Sequence, residues 1–168
     1  MTIDIYAADE QSDVAIDLAR WSELTRRALS DEGVRGLAEV SLIFTSVETM
    51  SELNAQFMGK SGPTDVLSFP IDDEPQPAGR VPDAGGSGPG DPTESEIPQL
   101  VGDIVICPTV AVTNAVEHDC PLDDEIALLI VHGVLHLLGW DHAVDLEAER
   151  MEAREQELLR RHYVRSVA

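Results

Sequence analysis

Three of the chain's five histidines fall at positions 132, 136 and 142, and this spacing constrains the C-terminal fold more than any other feature. On an α-helix His132 and His136 lie ~6 Å apart along the axis, so both imidazoles face the same side. Gly139 follows, where a left-handed residue would end the helix and let His142 return toward the pair. The spacing predicts one metal ion held by His132, His136 and His142.

Three neutral imidazoles with an open fourth position are typical of catalytic zinc rather than of a closed structural site. A lone histidine on an apolar helix is more often a core residue, and an isolated pair at this spacing also arises by chance. His118 and His162 have no comparable spacing, and we interpret them as surface or core residues. Cys120 is more readily an inert thiol beside Pro121 than a further ligand.

The histidine spacing matches the metzincin peptidase pattern, H-E-x-x-H-x-x-G-x-x-H, with one departure. Gly133 stands where those peptidases carry the glutamate that acts as general base. A zinc ion can still activate water, and phosphodiester cleavage tolerates the missing base better than peptide hydrolysis does. Asp141 is a candidate proton acceptor or orienting partner for a ligand, although it can equally cap the turn.

Charge and composition limit the partners of the chain. Its 168 residues fit one domain, its formal net charge is −21, and its two cysteines indicate no disulfide framework. We expect no signal peptide, since residues 1–10 lack a basic start and an apolar stretch. No apolar run approaches the ~18 residues of a membrane span, so we expect a cytoplasmic protein without a membrane partner. The acidic surface argues against general binding to polyanions, and we expect no DNA partner, but a local cleft can still bind RNA.

Hydrophobic periodicity predicts an α+β domain with a small mixed sheet packed against helices and the metal-binding helix near the C-terminus. The predicted strands are residues 2–7, 39–45, 66–69 and 101–106, and the predicted helices are residues 13–30, 51–57, 108–117, 121–138 and 144–163. Residues 72–99 hold six of the ten prolines, five glycines and seven acidic residues. This segment predicts a flexible acidic loop within a single domain over residues 1–168.

The chain resembles the YbeY family of bacterial rRNA maturation endoribonucleases in three ordered blocks. The first is the metal motif, with Gly133, Leu135, Leu137, Gly139 and Asp141 around the three histidines; the others are residues 63–70, PTDVLSFP, and residues 102–106, GDIVI. Leu53-Asn54 also matches a family helix. The resemblance implies an α+β fold, one zinc ion per chain, and cleavage of single-stranded RNA in 16S rRNA 3′-end maturation and ribosome quality control. It also implies contact with the small ribosomal subunit and an rRNA precursor.

One departure from the family concerns RNA handling. Many members carry an arginine shortly after Leu-Asn, where this chain has Met58, and Lys60 is the nearest basic residue. Two other functions remain open on the sequence: a ribosome-assembly factor with structural zinc, and a peptidase that draws its base from elsewhere. Four residues of the matched blocks either line the site or serve the strand structure: Thr64, Asp65, Ser68 and Asp103.

Overall fold

The computed structural model describes residues 2–34, 37–70, 99–140 and 145–163. The strands are β1 (Thr2–Asp9), β2 (Leu37–Phe44), β3 (Val66–Pro70) and β4 (Gln99–Ile106). The α-helices are α1 (Leu18–Asp31), α2 (Val47–Leu53), α3 (Pro108–Glu117), α4 (Leu122–Leu137) and α5 (Asp145–His162). A π-helical turn, Asn54–Met58, continues α2. The predicted α+β class is confirmed.

The four strands form one mixed sheet in the order β1-β2-β4-β3. β1, β2 and β4 run parallel, whereas β3 pairs with β4 antiparallel, with Val66 opposite Ile106 and Pro70 opposite Gly102. Proline cannot donate a ladder hydrogen bond, and its place at the end of an edge strand satisfies that restriction. The small mixed sheet predicted from the sequence is therefore present.

Helices α1 and α4 pack on one face of the sheet and bury the main core. Alternate residues of β2 (Val40, Leu42 and Phe44) and of β4 (Ile104 and Ile106) face this core. The other face carries a smaller apolar cluster of Met50, Leu67, Val105 and Cys107. Helix α4 is buried along most of its length. This packing fixes the rotation of the helix, and so determines where the side chains on its less buried side point.

Two helices begin away from the expected positions. The helix expected over residues 13–30 starts only at Leu18, because Asp17 caps it by accepting a hydrogen bond from the Arg20 amide. Upstream, the Gln11 side chain accepts from the amides of Asp13 and Val14 and holds a non-helical turn. The helix expected over residues 51–57 starts at Val47, where Ser46 caps it, and ends in an unexpected π-helical turn.

The remaining boundaries lie close to those expected, with β4 beginning at Gln99 rather than at residue 101. The flexible loop expected over residues 72–99 otherwise lies outside the described residues. The single domain over residues 1–168 therefore stays a prediction. Within the described part of the chain, no helix combines the length and apolar character needed to cross a membrane.

Candidate metal centre

Helix α4 places His132 and His136 side by side. Its first turn carries Asp123, Asp124 and Glu125, which suit the positive end of the helix dipole, and its apolar residues pack against the sheet and α1. The two histidines leave the half-buried side of the helix. Their ring centroids lie 4.5 Å apart with the planes at 76°. The predicted pairing of the two imidazoles on one helix face is therefore observed.

The turn after α4 orients the His136 ring. Gly139 has φ +99°, the left-handed conformation expected from the sequence. Its amide donates to the His136 carbonyl at 3.1 Å, and the Trp140 amide donates to the Leu135 carbonyl at 3.0 Å. The chain reversal brings the Trp140 carbonyl to 3.1 Å from His136 Nδ1. A carbonyl only accepts, so Nδ1 carries the hydrogen, and in the neutral ring Nε2 then carries the lone pair.

A residue that the sequence reasoning missed holds the His132 ring. Glu155, on α5, places Oε2 2.5 Å from His132 Nδ1, and Glu155 is only 7% exposed. One signal was present in the sequence. Glu155 shares helical spacing with Met151 and Leu158, both fully buried, so an acidic residue stands on the apolar stripe of α5.

The described donors fit a zinc ion. Imidazole nitrogen is a preferred zinc ligand, and in zinc sites the other ring nitrogen commonly donates to a carboxylate or a backbone carbonyl. His132 and His136 show both kinds of partner. His142 and Asp141 lie outside the described residues, and within the described ranges no group of three potential ligands comes together. The three-histidine set stays a prediction.

Gly133 explains why the peptidase glutamate has no place in this helix. A Cβ added at Gly133 would lie 2.9 Å from Ile104 Cγ2 and 3.3 Å from Ser68 Oγ. The position therefore faces the sheet, and Ser68 Oγ donates to the Gly133 carbonyl at 3.2 Å. Any larger side chain would have to move Ile104 or shift the helix away from β3 and β4. The departure from the peptidase pattern is thus part of the helix packing.

The other residues of the matched blocks lie in different surroundings. Ser68 contacts the histidine helix through Gly133. Asp65 accepts from the Val66 amide at 2.7 Å and from Asn114 Nδ2 at 2.9 Å, which joins β3 to α3, and Thr64 donates to Asp65. Asp103 lines a groove with Asp4 and other residues of β1 and β2. Of the four, Ser68 is the one whose hydrogen bond reaches α4.

The remaining histidines, His118 and His162, also have carboxylate partners. His118 Nδ1 lies 2.9 Å from Glu125 Oε1, which raises the pKa of His118 through the hydrogen bond and the carboxylate charge. His162 Nε2 lies 2.9 Å from Asp31 Oδ2 and lowers the pKa of that aspartate. Burial raises the pKa of the Cys120 thiol, which favours the inert interpretation of this cysteine.

The departure at Met58 falls in the π-helical turn. Met58 and Phe57 are both about half exposed, and the Phe57 ring meets Phe69 edge-on with centroids 5.1 Å apart. Asn54 at the start of the turn is buried, and its Nδ2 donates to the Gly62 carbonyl at 2.9 Å. The Leu-Asn match therefore corresponds to a residue that fixes the loop before β3.

Comparisons with known proteins agree with the resemblance. A family model described as Endoribonuclease YbeY matches residues 6–163. Curated proteins named Endoribonuclease YbeY from Salinispora tropica and Thermobifida fusca are 43% and 39% identical, covering 95% of this chain in each case and 94% and 92% of their own lengths. The solution structure of a Thermotoga maritima protein matches with a TM-score of 0.54 and 24% identity, over 95% of this chain and 91% of that one, and supports the fold alone. The chain belongs to the YbeY endoribonuclease family.

Proposed function

We propose that the chain is a zinc-dependent, single-strand-specific endoribonuclease acting in 16S rRNA 3′-end maturation, with the ion held by His132, His136 and His142. Family membership makes the chain an endoribonuclease of rRNA processing, a metal-dependent enzyme that breaks RNA phosphodiester bonds. The choice of zinc and the ligand set are our proposal. The observation that supports them is the pair of α4 imidazoles, each donating from Nδ1 to an oxygen.

The residues of the chain have separate parts in this proposal. His132 and His136 would offer Nε2 to the ion, since each Nδ1 is occupied as a donor. Bound there, zinc supplies Lewis-acid chemistry that stabilises charge developing on the phosphate and makes water a better nucleophile. Gly133 allows α4 to pack closely on the sheet and provides no base. The Trp140 carbonyl and Glu155 keep the two rings from rotating.

The proposal also covers the substrate, the cellular function and the location. We favour an rRNA precursor within the small ribosomal subunit as the substrate. We further propose a function in ribosome quality control and a cytoplasmic location. The net charge of −21 makes general affinity for RNA weak. We therefore expect the enzyme to depend on recognition of the assembled subunit rather than on attraction to free RNA.

A second candidate function is a ribosome-assembly factor in which zinc only organises the fold. The acidic charge and the exposed Met58 in place of a family arginine favour it. The peptidase alternative has less support, because the position of its general base is packed against Ile104 and Ser68.

Metal analysis combined with RNA cleavage tests the proposal. Purified protein should hold about one zinc ion per chain and cleave single-stranded precursor RNA, and His136→Ala should lose both. End-group mapping of the products identifies the bond broken. His162→Ala is a suitable control, since His162 is paired with Asp31. Cleavage that persists at full rate in metal-free protein would refute the zinc-dependent mechanism, and subunit binding without any cleavage would favour the assembly factor.

A further inference from the structure

We propose that Glu155 is a positioning residue for the metal centre: its carboxylate fixes the tautomer and the orientation of His132, so that Nε2 is presented to the ion. The inference rests on the proposed function, since it concerns the same centre. It assigns a function to a residue on α5 that lies 23 positions away from its histidine in the chain.

The contact itself is specific. Glu155 Oε2 lies 2.5 Å from His132 Nδ1. An ionised carboxylate only accepts hydrogen bonds, so the imidazole must be the donor at Nδ1. The neutral ring then has its lone pair on Nε2. A carboxylate partner on a ligating histidine also makes the ring a stronger donor to the metal.

The burial of Glu155 is costly unless the carboxylate is hydrogen-bonded. Glu155 is 7% exposed and stands between Met151 and Leu158, where an apolar residue would pack more favourably. The adjacent cation, Arg154, is directed to α1, where it bonds Glu32 and pairs with Asp31. The His132 ring is therefore the partner that accounts for an acidic residue at this position.

A purely structural function, in which the pair only ties α5 to α4, is the competing explanation. The chain offers a matched control in Glu125, another buried carboxylate bound to a histidine Nδ1. Glu125 lies on α4 itself, seven positions before His132. If a buried carboxylate–histidine pair mattered only for stability, truncation of either glutamate would have the same kind of effect.

The experiment compares Glu155→Ala and Glu155→Gln with Glu125→Ala and Glu125→Gln. Zinc affinity is measured by competition with a chromophoric chelator, folding by urea denaturation, and the His132 tautomer by long-range ¹H–¹⁵N NMR on the metal-free protein. We expect Glu155→Ala to weaken zinc binding ~10–100-fold. Glu155→Gln should recover most of the loss, because its Oε1 still accepts from Nδ1. The Glu125 variants should bind zinc as the parent does, because Glu125 contacts His118 and not a proposed ligand.

The outcomes separate this inference from the proposed function. A folded Glu155→Ala protein with parental zinc affinity would overturn it, as would an equal loss in the alanine and glutamine variants. If Glu155→Ala does not fold, the metal-free parent decides: an Nδ1–H tautomer at His132 supports the inference and an Nε2–H tautomer overturns it. A parent that binds no zinc at all would instead defeat the proposed function, while the tautomer would still show whether Glu155 orients the ring.

Discussion

His132 with Glu155 and His118 with Glu125 are the same chemical pair in two settings. In both, a histidine Nδ1 meets a buried glutamate oxygen, at 2.5 Å and 2.9 Å respectively. The His118 side chain is 57% exposed, whereas that of His132 is 29% exposed. His132 has the His136 ring as its neighbour, while Glu125 has the Cys120 thiol 3.9 Å away.

The difference shows what turns such a pair into a candidate metal centre. A carboxylate can orient any histidine, and orientation alone creates no site. A second imidazole directed to the same region adds another donor, and this requires the helical spacing of His132 and His136 together with the turn at Gly139. The His118 pair joins the end of α3 to α4 and has the properties of a structural contact.

The sharpest test of the comparison replaces each histidine in turn. His132→Ala should weaken zinc binding by ~100-fold or more, because it removes a ligand. This loss exceeds the ~10–100-fold expected when only the hydrogen-bond partner of a ligand is removed. His118→Ala should bind zinc as the parent does. Metal content after dialysis against a weak chelator measures both. Equal losses in the two variants would remove the distinction between the pairs.

Removal of the metal should also distinguish His132 from His118, this time by the free energy of unfolding. A ligand present at 100 times its Kd stabilises the folded state by about 2.7 kcal/mol. Chelation should therefore lower the free energy of unfolding by about that amount for the parent and for His118→Ala. For His132→Ala we expect almost no change on chelation. Urea denaturation with and without zinc provides the measurement, and a chelation effect that survives in His132→Ala would contradict the assignment.

Gly133→Ala should disturb the neighbourhood of His132 but not that of His118. Overpacking costs about 1–3 kcal/mol, and the tight contact with Ile104 Cγ2 has little room to relax. The gain from replacing helical glycine is about 1 kcal/mol, so we expect a net loss of about 1 kcal/mol and weaker zinc binding. Thermal and urea unfolding check the stability, and a variant more stable than the parent would show that α4 has room to move.

The smallest expected effect is the pH dependence contributed by the His118 pair. The pKa of His118 is raised in the folded protein. Its stabilisation is therefore fully present below the unfolded pKa of about 6.5 and fades as the pH rises through the folded pKa. The difference in unfolding free energy between the parent and His118→Gln should therefore be larger at a pH of about 6 than at an alkaline pH. A difference that grows toward alkaline pH would contradict the sign.

The α4 half of the centre could be predicted from the sequence because its geometry is local. His136 follows His132 by four positions, so any α-helix places them together, and glycine at position 139 marks the turn. The alternation of Val40, Leu42 and Phe44 in β2 is likewise a local pattern, and these residues face the core. These features depend on nearest neighbours along the chain, where helix and strand periods apply directly.

The contacts that the sequence did not predict are those between distant elements. Glu155 meets His132 only through the packing of α5 on α4, and no local rule sets that register. Two local features were also missed. One is the start of α1, which depends on the Asp17 cap and on the Gln11 turn that precedes it. The π-helical turn adds a residue within a helix, which hydrophobic periodicity does not specify.

The antiparallel pairing of β3 with β4 has a consequence for the length of the chain between them. The ladder runs from the Val66–Ile106 pair to the Pro70–Gly102 pair, so the connecting segment leaves and returns at the same end of the sheet. Closing a flexible connection costs only about 0.6 kcal/mol more for each doubling of its length. A change in the length of the segment between β3 and β4 would therefore cost little free energy and leave the packing of α4 on the sheet unchanged.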